Sequence, residues 1–243
     1  METRLNNRDA QAALPIPDAG KTTGVPLWVS GVVVAGLIGM ALALVMIPVW
    51  VPTLGASIVG ADPKFYWYLS RASAMVAFGL LWVSMASGLI ITNKMARIWP
   101  GAFTAFDLHQ FTSLLGLGFA AFHGLILLGN AYVPYSIVQI VVPFGNDAYR
   151  QLWVGIGQVA LYLSALVSFT FYVRKRIGTK AWHVIHFLSY GLFALSLLHG
   201  VFAGTDSGNT WISEMYWFSA LSLALLTVYR VADRRAQVVS RGS

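Results

Sequence analysis

The chain has 243 residues and a net charge of +7, with 57% hydrophobic and only 10% charged residues. A soluble domain carries about 25% charged residues, so lipid is the expected solvent, and the basic excess reads as a Lys/Arg bias of one membrane face rather than a nucleic-acid surface. Cysteine is absent, which excludes disulfides, thiolate metal sites, iron–sulfur clusters and covalent attachment of a prosthetic group through C-x-x-C-H.

Residues 1–25 are polar, broken by Pro15, Pro17 and Gly20, and are expected to form a flexible cytoplasmic tail rather than a secretory leader. Six apolar runs follow, at about 27–51, 66–92, 105–131, 151–173, 181–204 and 211–231. Each is long enough to cross a hydrocarbon core of about 30 Å at a rise of about 1.5 Å per residue. The fold class expected is therefore all-α: a six-transmembrane-helix bundle over 26–232, with a second cytoplasmic tail at 233–243. The long connection 132–150 is partly apolar and is expected to fold back as a lid on the outer face.

The basic residues orient the bundle. With both termini cytoplasmic, the inner segments hold Arg4, Arg8, Lys21, Lys94, Arg97, Arg174, Lys175, Arg176, Lys180, Arg230, Arg234, Arg235 and Arg241. The outer side keeps Lys64, Arg71 and Arg150. Trp and Tyr residues near the run ends, Trp28, Trp50, Trp67, Trp99, Trp182 and Tyr216 among them, read as the interfacial belt. Thr104 is expected to cap the third run, with Asp107 in a capping or dipole role. The Asp and Glu residues from Asp62 onward lie at or beyond run ends, which argues against a proton pump or cation transporter.

The five histidines, His109, His123, His183, His186 and His199, lie in or at the mouths of the third and fifth runs. His109 and His123 are 14 residues apart, about 21 Å along a helix and within about 40° of one face. His186 and His199 are 13 apart, about 19.5 Å. Both runs point the same way, so the levels match, His109 with His186 and His123 with His199. Two facing imidazoles supply both axial ligands of a haem iron. Spacing leaves His183 and His186 as alternatives, since neither shares a face with His199 on an ideal helix without a bulge or tilt. Gly124 and Gly200 follow His123 and His199 and would admit a flat macrocycle or a neighbouring helix. Arg71, inside the second run, needs a partner such as a propionate or an outer acceptor, unless it snorkels to the interface.

YLSRASAMVAFGLLWVSMASGLIIT, WPGAFTAFDLHQFTSLLGLGFAAFHGLIL and RKRIGTKAWHVIHFLSYGLFALSLLHGVFAGTD, with the W-x3-H-x3-Y of Trp182, His186 and Tyr190, resemble the ferric reductase-like transmembrane domain over roughly 64–232. That family comprises haem-binding membrane subunits, ferric reductases and NADPH oxidases. The resemblance implies a transmembrane b-type cytochrome with two bis-His haem b groups: His109 and His186 on the inner one, His123 and His199 on the outer. It favours His186 over His183, puts His183 one turn nearer the cytoplasm beside a propionate, and sets Arg71 on the outer-haem side. No G-x-G-x-x-G unit follows the last run. The chain is thus expected to be the electron-transfer subunit of an oxidoreductase without its own FAD or NAD(P)H domain. A separate flavoprotein or a quinol would feed it, and an outer-side acceptor or partner subunit would drain it. The setting expected is a cell membrane, bacterial and inner, with lipid around the bundle. The competing expectations are a non-redox structural subunit of a larger membrane complex and a transporter whose histidines bind metal or substrate.

Overall fold

The computed structural model of the chain describes residues 31, 34–39, 42, 64–93, 95, 102–130, 133–145 and 149–242. The chain divides into two units, Met1–Val45 and Met46–Ser243. In the first, residues 31, 34–39 and 42 are helical. The rest of the first apolar run, the 1–25 tail and the inner cations Lys94 and Arg97 lie outside the described residues.

In the second unit the helices are α1 (Phe65–Thr92), α2 (Ala102–Leu125, continued by a 3-10 turn Ile126–Gly129), α3 (Ile137–Val141), α4 (Gln151–Ile177), α5 (Thr179–Phe187), α6 (Ser189–Ala203) and α7 (Thr210–Gly242). No strand occurs among the described residues. Five helical stretches are long and apolar enough to cross a membrane: Phe65–Thr92, Thr104–Gly129, Gln151–Ile177, Thr179–Ala203 and Thr210–Asp233. They coincide with the second to sixth predicted runs.

Two predicted boundaries move. α2 begins at Ala102, so Thr104 lies inside its first turn and is not its N-cap; Asp107 falls in the second turn, exposed to the surroundings. The predicted break Arg174–Lys180 shrinks to a single residue. α4 stays helical through its basic last turn, where Arg174, Lys175 and Arg176 suit the negative end of the helix dipole. Gly178, with φ 84°, then turns the chain directly into α5, a backbone conformation that costs glycine nothing.

α1 lies along α2 with one face and against α6 and α7 with another. On the second face Phe78, Met85 and Leu89 form the core with Phe193 and Leu223. The ring of Phe78 stacks on Phe193 at 5.7 Å and meets Tyr216 edge-on at 5.1 Å. Trp82 adds a hydrogen bond from Nε1 to Ser222 Oγ at 2.9 Å. In lipid such packing and hydrogen bonding, rather than escape from water, hold helices together.

The described part of the 132–150 connection packs against α4. α3 starts at a capping box made by Ser136 and Gln139, and its carbonyls dock on α4. Gln158 Nε2 donates to Gln139 O at 2.7 Å and Ile140 O at 2.8 Å, Gln158 Oε1 accepts from Phe144 N at 3.1 Å, and the Tyr162 hydroxyl donates to Val141 O. Gln158 is the eighth residue of α4 and Tyr162 the twelfth, so the segment descends alongside α4 by roughly two to three turns.

Candidate functional site

α2 presents His109 and His123 to the α5–α6 pair, and the four predicted ligands meet two by two. The ring centroids of His109 and His186 are 6.0 Å apart, with planes at 77°. Those of His123 and His199 are 6.1 Å apart, at 70°. The 13-residue spacing is accommodated because α5 and α6 are separate segments. Leu188, between them, bonds N–H to Ile185 O at 3.0 Å, an i→i−3 step. That interruption shifts the phase of α6 relative to α5.

Three of the four rings are held the same way. His109 Nδ1 donates to Ser84 O, His123 Nδ1 to Ser70 O and His199 Nδ1 to Trp153 O, each at 2.8 Å. A carbonyl only accepts, so Nδ1 carries a proton, and in the neutral ring Nε2 then keeps its lone pair. The serine hydroxyls agree. Ser70 Oγ spends its hydrogen on His123 O at 3.0 Å. Ser84 Oγ lies 2.6 Å from Ser113 Oγ, whose own hydrogen goes to His109 O at 2.6 Å, leaving Ser84 as the donor of that pair. A bare Nε2 with Nδ1–H on a carbonyl is the usual state of a metal-ligating imidazole. The His186 ring has no hydrogen-bond partner among the described residues and instead stacks on Trp182 at 5.3 Å and 30°.

Two glycines make room for these rings. A Cβ on Gly157 would come within 2.4 Å of His199 Nδ1, and one on Gly88 within 3.2 Å of His109 Cε1. The first approach excludes any side chain, while the second is tight but negotiable. Neither glycine, nor Ser70 or Ser84, stands out in the sequence. The signal was there in hindsight: small residues on α1 repeat at the spacing of the α2 histidines.

All nine residues singled out from the sequence line one cavity of about 1470 Å³ that embraces both histidine pairs. Ligand cavities for a single small molecule run to about 1,000 Å³, so this one has space for more than one such group. His183 lines it without facing another imidazole pair-wise. It is exposed, with Nδ1 on Thr179 O at 2.7 Å. Tyr190 packs on Phe187 at 5.1 Å. Gly200 is a helix contact: a Cβ there would meet the Tyr216 hydroxyl at 2.6 Å. Gly124 is not a close approach, since its Cβ would touch only Ile140 at 3.8 Å. Arg71 finds its partner within the chain. Nε and one terminal nitrogen engage both oxygens of Asp206 in the α6–α7 turn. Neither a propionate nor snorkelling is needed to balance that charge. Trp182, read as interfacial belt, turns inward, and its buried Nε1 has no acceptor among the described residues.

The residues fit haem ligation. Two metal–imidazole bonds of about 2 Å plus two ring radii of about 1.1 Å put ring centroids about 6.2 Å apart, close to the separations of 6.0 and 6.1 Å. Two imidazoles in direct hydrogen bond would stand about 1 Å closer. No group of three or more His, Asp or Glu side chains converges among the described residues; the four imidazoles meet in pairs. Trp182 Nε1 is a donor awaiting an acceptor beside one pair. None of the protein-family models, curated proteins or solved structures compared with the chain matches it.

Proposed function

We propose that the chain is a transmembrane b-type cytochrome that holds two haem groups, one at each histidine level, and conducts electrons between the two faces of a membrane. The observation that carries this reading is the pair of imidazole–imidazole separations, 6.0 and 6.1 Å, with Nδ1 committed to a carbonyl on three of the four rings. His109 and His186 would ligate one iron, His123 and His199 the other. Haem bound there supplies a one-electron ferric–ferrous couple at each level.

The chain's own residues do the rest. The carbonyls of Ser70, Ser84 and Trp153 hold Nδ1 of His123, His109 and His199, which would leave Nε2 for metal and make these three imidazoles better electron donors. Trp182 stacks on His186 and offers Nε1 to an acidic edge. Phe78, Leu192 and Ala160 keep the interior apolar. By the excess of Lys and Arg, the His109–His186 level faces the cytoplasm. Electrons then enter from a separate flavoprotein or a quinol and leave on the far side, near Arg71 and Asp206, to an acceptor or partner subunit. The resemblance to ferric reductase-like membrane domains supports this direction, and a bacterial inner membrane is the setting that it suggests.

The test is a redox-titrated absorption spectrum of the purified full chain. Bis-imidazole low-spin bands and about two haems per chain are expected. A folded chain that takes up no haem when supplied with it ends the proposal, and a subunit role in a larger complex then becomes the better reading.

A further inference from the structure

α1 carries its own repeat, in register with the histidines. Ser70-Arg-Ala-Ser73 and Ser84-Met-Ala-Ser87 are two S-x-A-S segments 14 residues apart, the same interval as His109 to His123. Their bonding is repeated as well. In each, the first serine's carbonyl accepts Nδ1–H of one α2 histidine at 2.8 Å and lies 2.9 Å from the second serine's hydroxyl, which at Ser87 also has Val83 O as an acceptor at 2.7 Å. In each, the first serine's Oγ also faces that Nδ1, at 2.9 Å for His123 and 3.2 Å for His109. All four serines are buried. Because α1 and α2 run in opposite directions, the earlier segment serves the later histidine, and the two sockets stand about 21 Å apart along the helix. Such a separation leaves them no shared atoms.

We propose that these two S-x-A-S segments are duplicate positioning sockets, each fixing the tautomer and aim of one α2 imidazole independently of the other. This rests on the reading of His109 and His123 as ligands and adds which residues set each one. The two copies differ in their surroundings. At Ser84 the hydroxyl continues to Ser113, and the next residue after the segment is Gly88, whose missing side chain admits the His109 ring. The equivalent position after Ser73 is Ala74.

The experiment uses the full chain, histidine-labelled with ¹⁵N, in lipid nanodiscs with dithionite, so that any bis-imidazole iron is low-spin ferrous and diamagnetic. The Nδ1–H resonances of His109 and His123 are followed in Ser70→Ala, Ser73→Ala, Ser84→Ala and Ser87→Ala. The first two are expected to shift His123 alone and the last two His109 alone, with the smaller shifts from Ser73→Ala and Ser87→Ala. In haem-loaded samples, one midpoint potential should move while the other stays. Shifts of both histidines by one variant, or of neither by any, overturn the proposal. Should Ser70→Ala or Ser84→Ala not fold, Ser73→Ala and Ser87→Ala decide alone, because their hydroxyls touch the shared carbonyl and not the ring. The same samples separate the two proposals: absent haem bands sink the cytochrome reading, whereas the tautomers and site-selective shifts still report on the sockets.

Discussion

At the His123–His199 level both imidazoles donate Nδ1–H to a main-chain carbonyl, one on α1 and one on α4. At the His109–His186 level only His109 does so, and His186 rests on the face of Trp182 at the end of a nine-residue helix. The ring separations are nearly equal, yet one level is tethered at both sides and the other at one. The lesson concerns where such a bundle is rigid. α6 is anchored through Gly157, which lets His199 reach the α4 backbone, while α5 is joined to α6 through the interruption at Leu188. The level nearer the basic residues is therefore the one with fewer hydrogen bonds to its rings.

The largest effects test the pairing itself. If the chain is the proposed cytochrome, replacing His109, His123, His186 or His199 singly by Ala should remove one of two haems, halving the haem absorbance per chain. His183→Ala should retain both, because it faces no partner imidazole. Loss of haem in His183→Ala with retention in His186→Ala would reverse that ligand assignment.

Next come the glycines that admit the rings. Gly157→Ala drives a methyl into His199 and is expected to abolish or displace the haem of that level. Gly88→Ala, with nearly an ångström more room, should only shift the spectrum of the other. Gly124→Ala, which meets ordinary contact, should be silent. Equal damage from Gly157→Ala and Gly124→Ala would mean that the close approach to His199 is not what matters.

Spectroscopy then asks how alike the levels are. On the proposed reading, imidazole planes at 70° and 77° would leave the two upper iron d-orbitals of the π set nearly degenerate. Both ferric sites are expected to give the large-gmax type of low-spin electron paramagnetic resonance signal. A rhombic signal from one level would show its imidazoles turning parallel, and the untethered His186 is the ring free to do so.

The smallest effects are on stability. The Arg71–Asp206 pair is partly exposed, at 32% and 24% for the two side chains. Asp206→Asn is expected to lower stability by about 1 kcal/mol after allowing for solvent screening. Arg71→Gln in that background should restore part of it, measured by thermal unfolding in detergent. Trp182→Phe keeps the stacking on His186 but deletes Nε1. It should leave folding intact and shift the potential of that level only.

Much of this was legible in the chain. Five of the six apolar runs correspond to helices of spanning length, and the pairing of His109 with His186 and of His123 with His199 follows the matched rise of two parallel helices. Where the reading stopped, the cause was three-dimensional. Serine and glycine are common in membrane helices for packing alone, so neither the S-x-A-S repeat of α1 nor Gly157 marks a histidine contact without the imidazole that packs against it. Asp206 looked like an ordinary turn residue because its partner Arg71 lies 135 positions away. Thr104 seemed a cap because the helix start two residues earlier carries no such mark.

The amino-acid order by itself determined the solvent, the helical class and the two depths at which imidazoles occur, since these depend on hydropathy and on a fixed rise per residue. Spacing left His183 and His186 open and the resemblance favoured His186; the tertiary structure is what turns His186 toward His109. That choice depends on the Gly178 turn and the Leu188 interruption, which set the rotation of α5 about its own axis. It also decided the tautomers. A proton's position on an imidazole is set by the carbonyl that another helix brings to Nδ1, and no spacing along one helix contains that information.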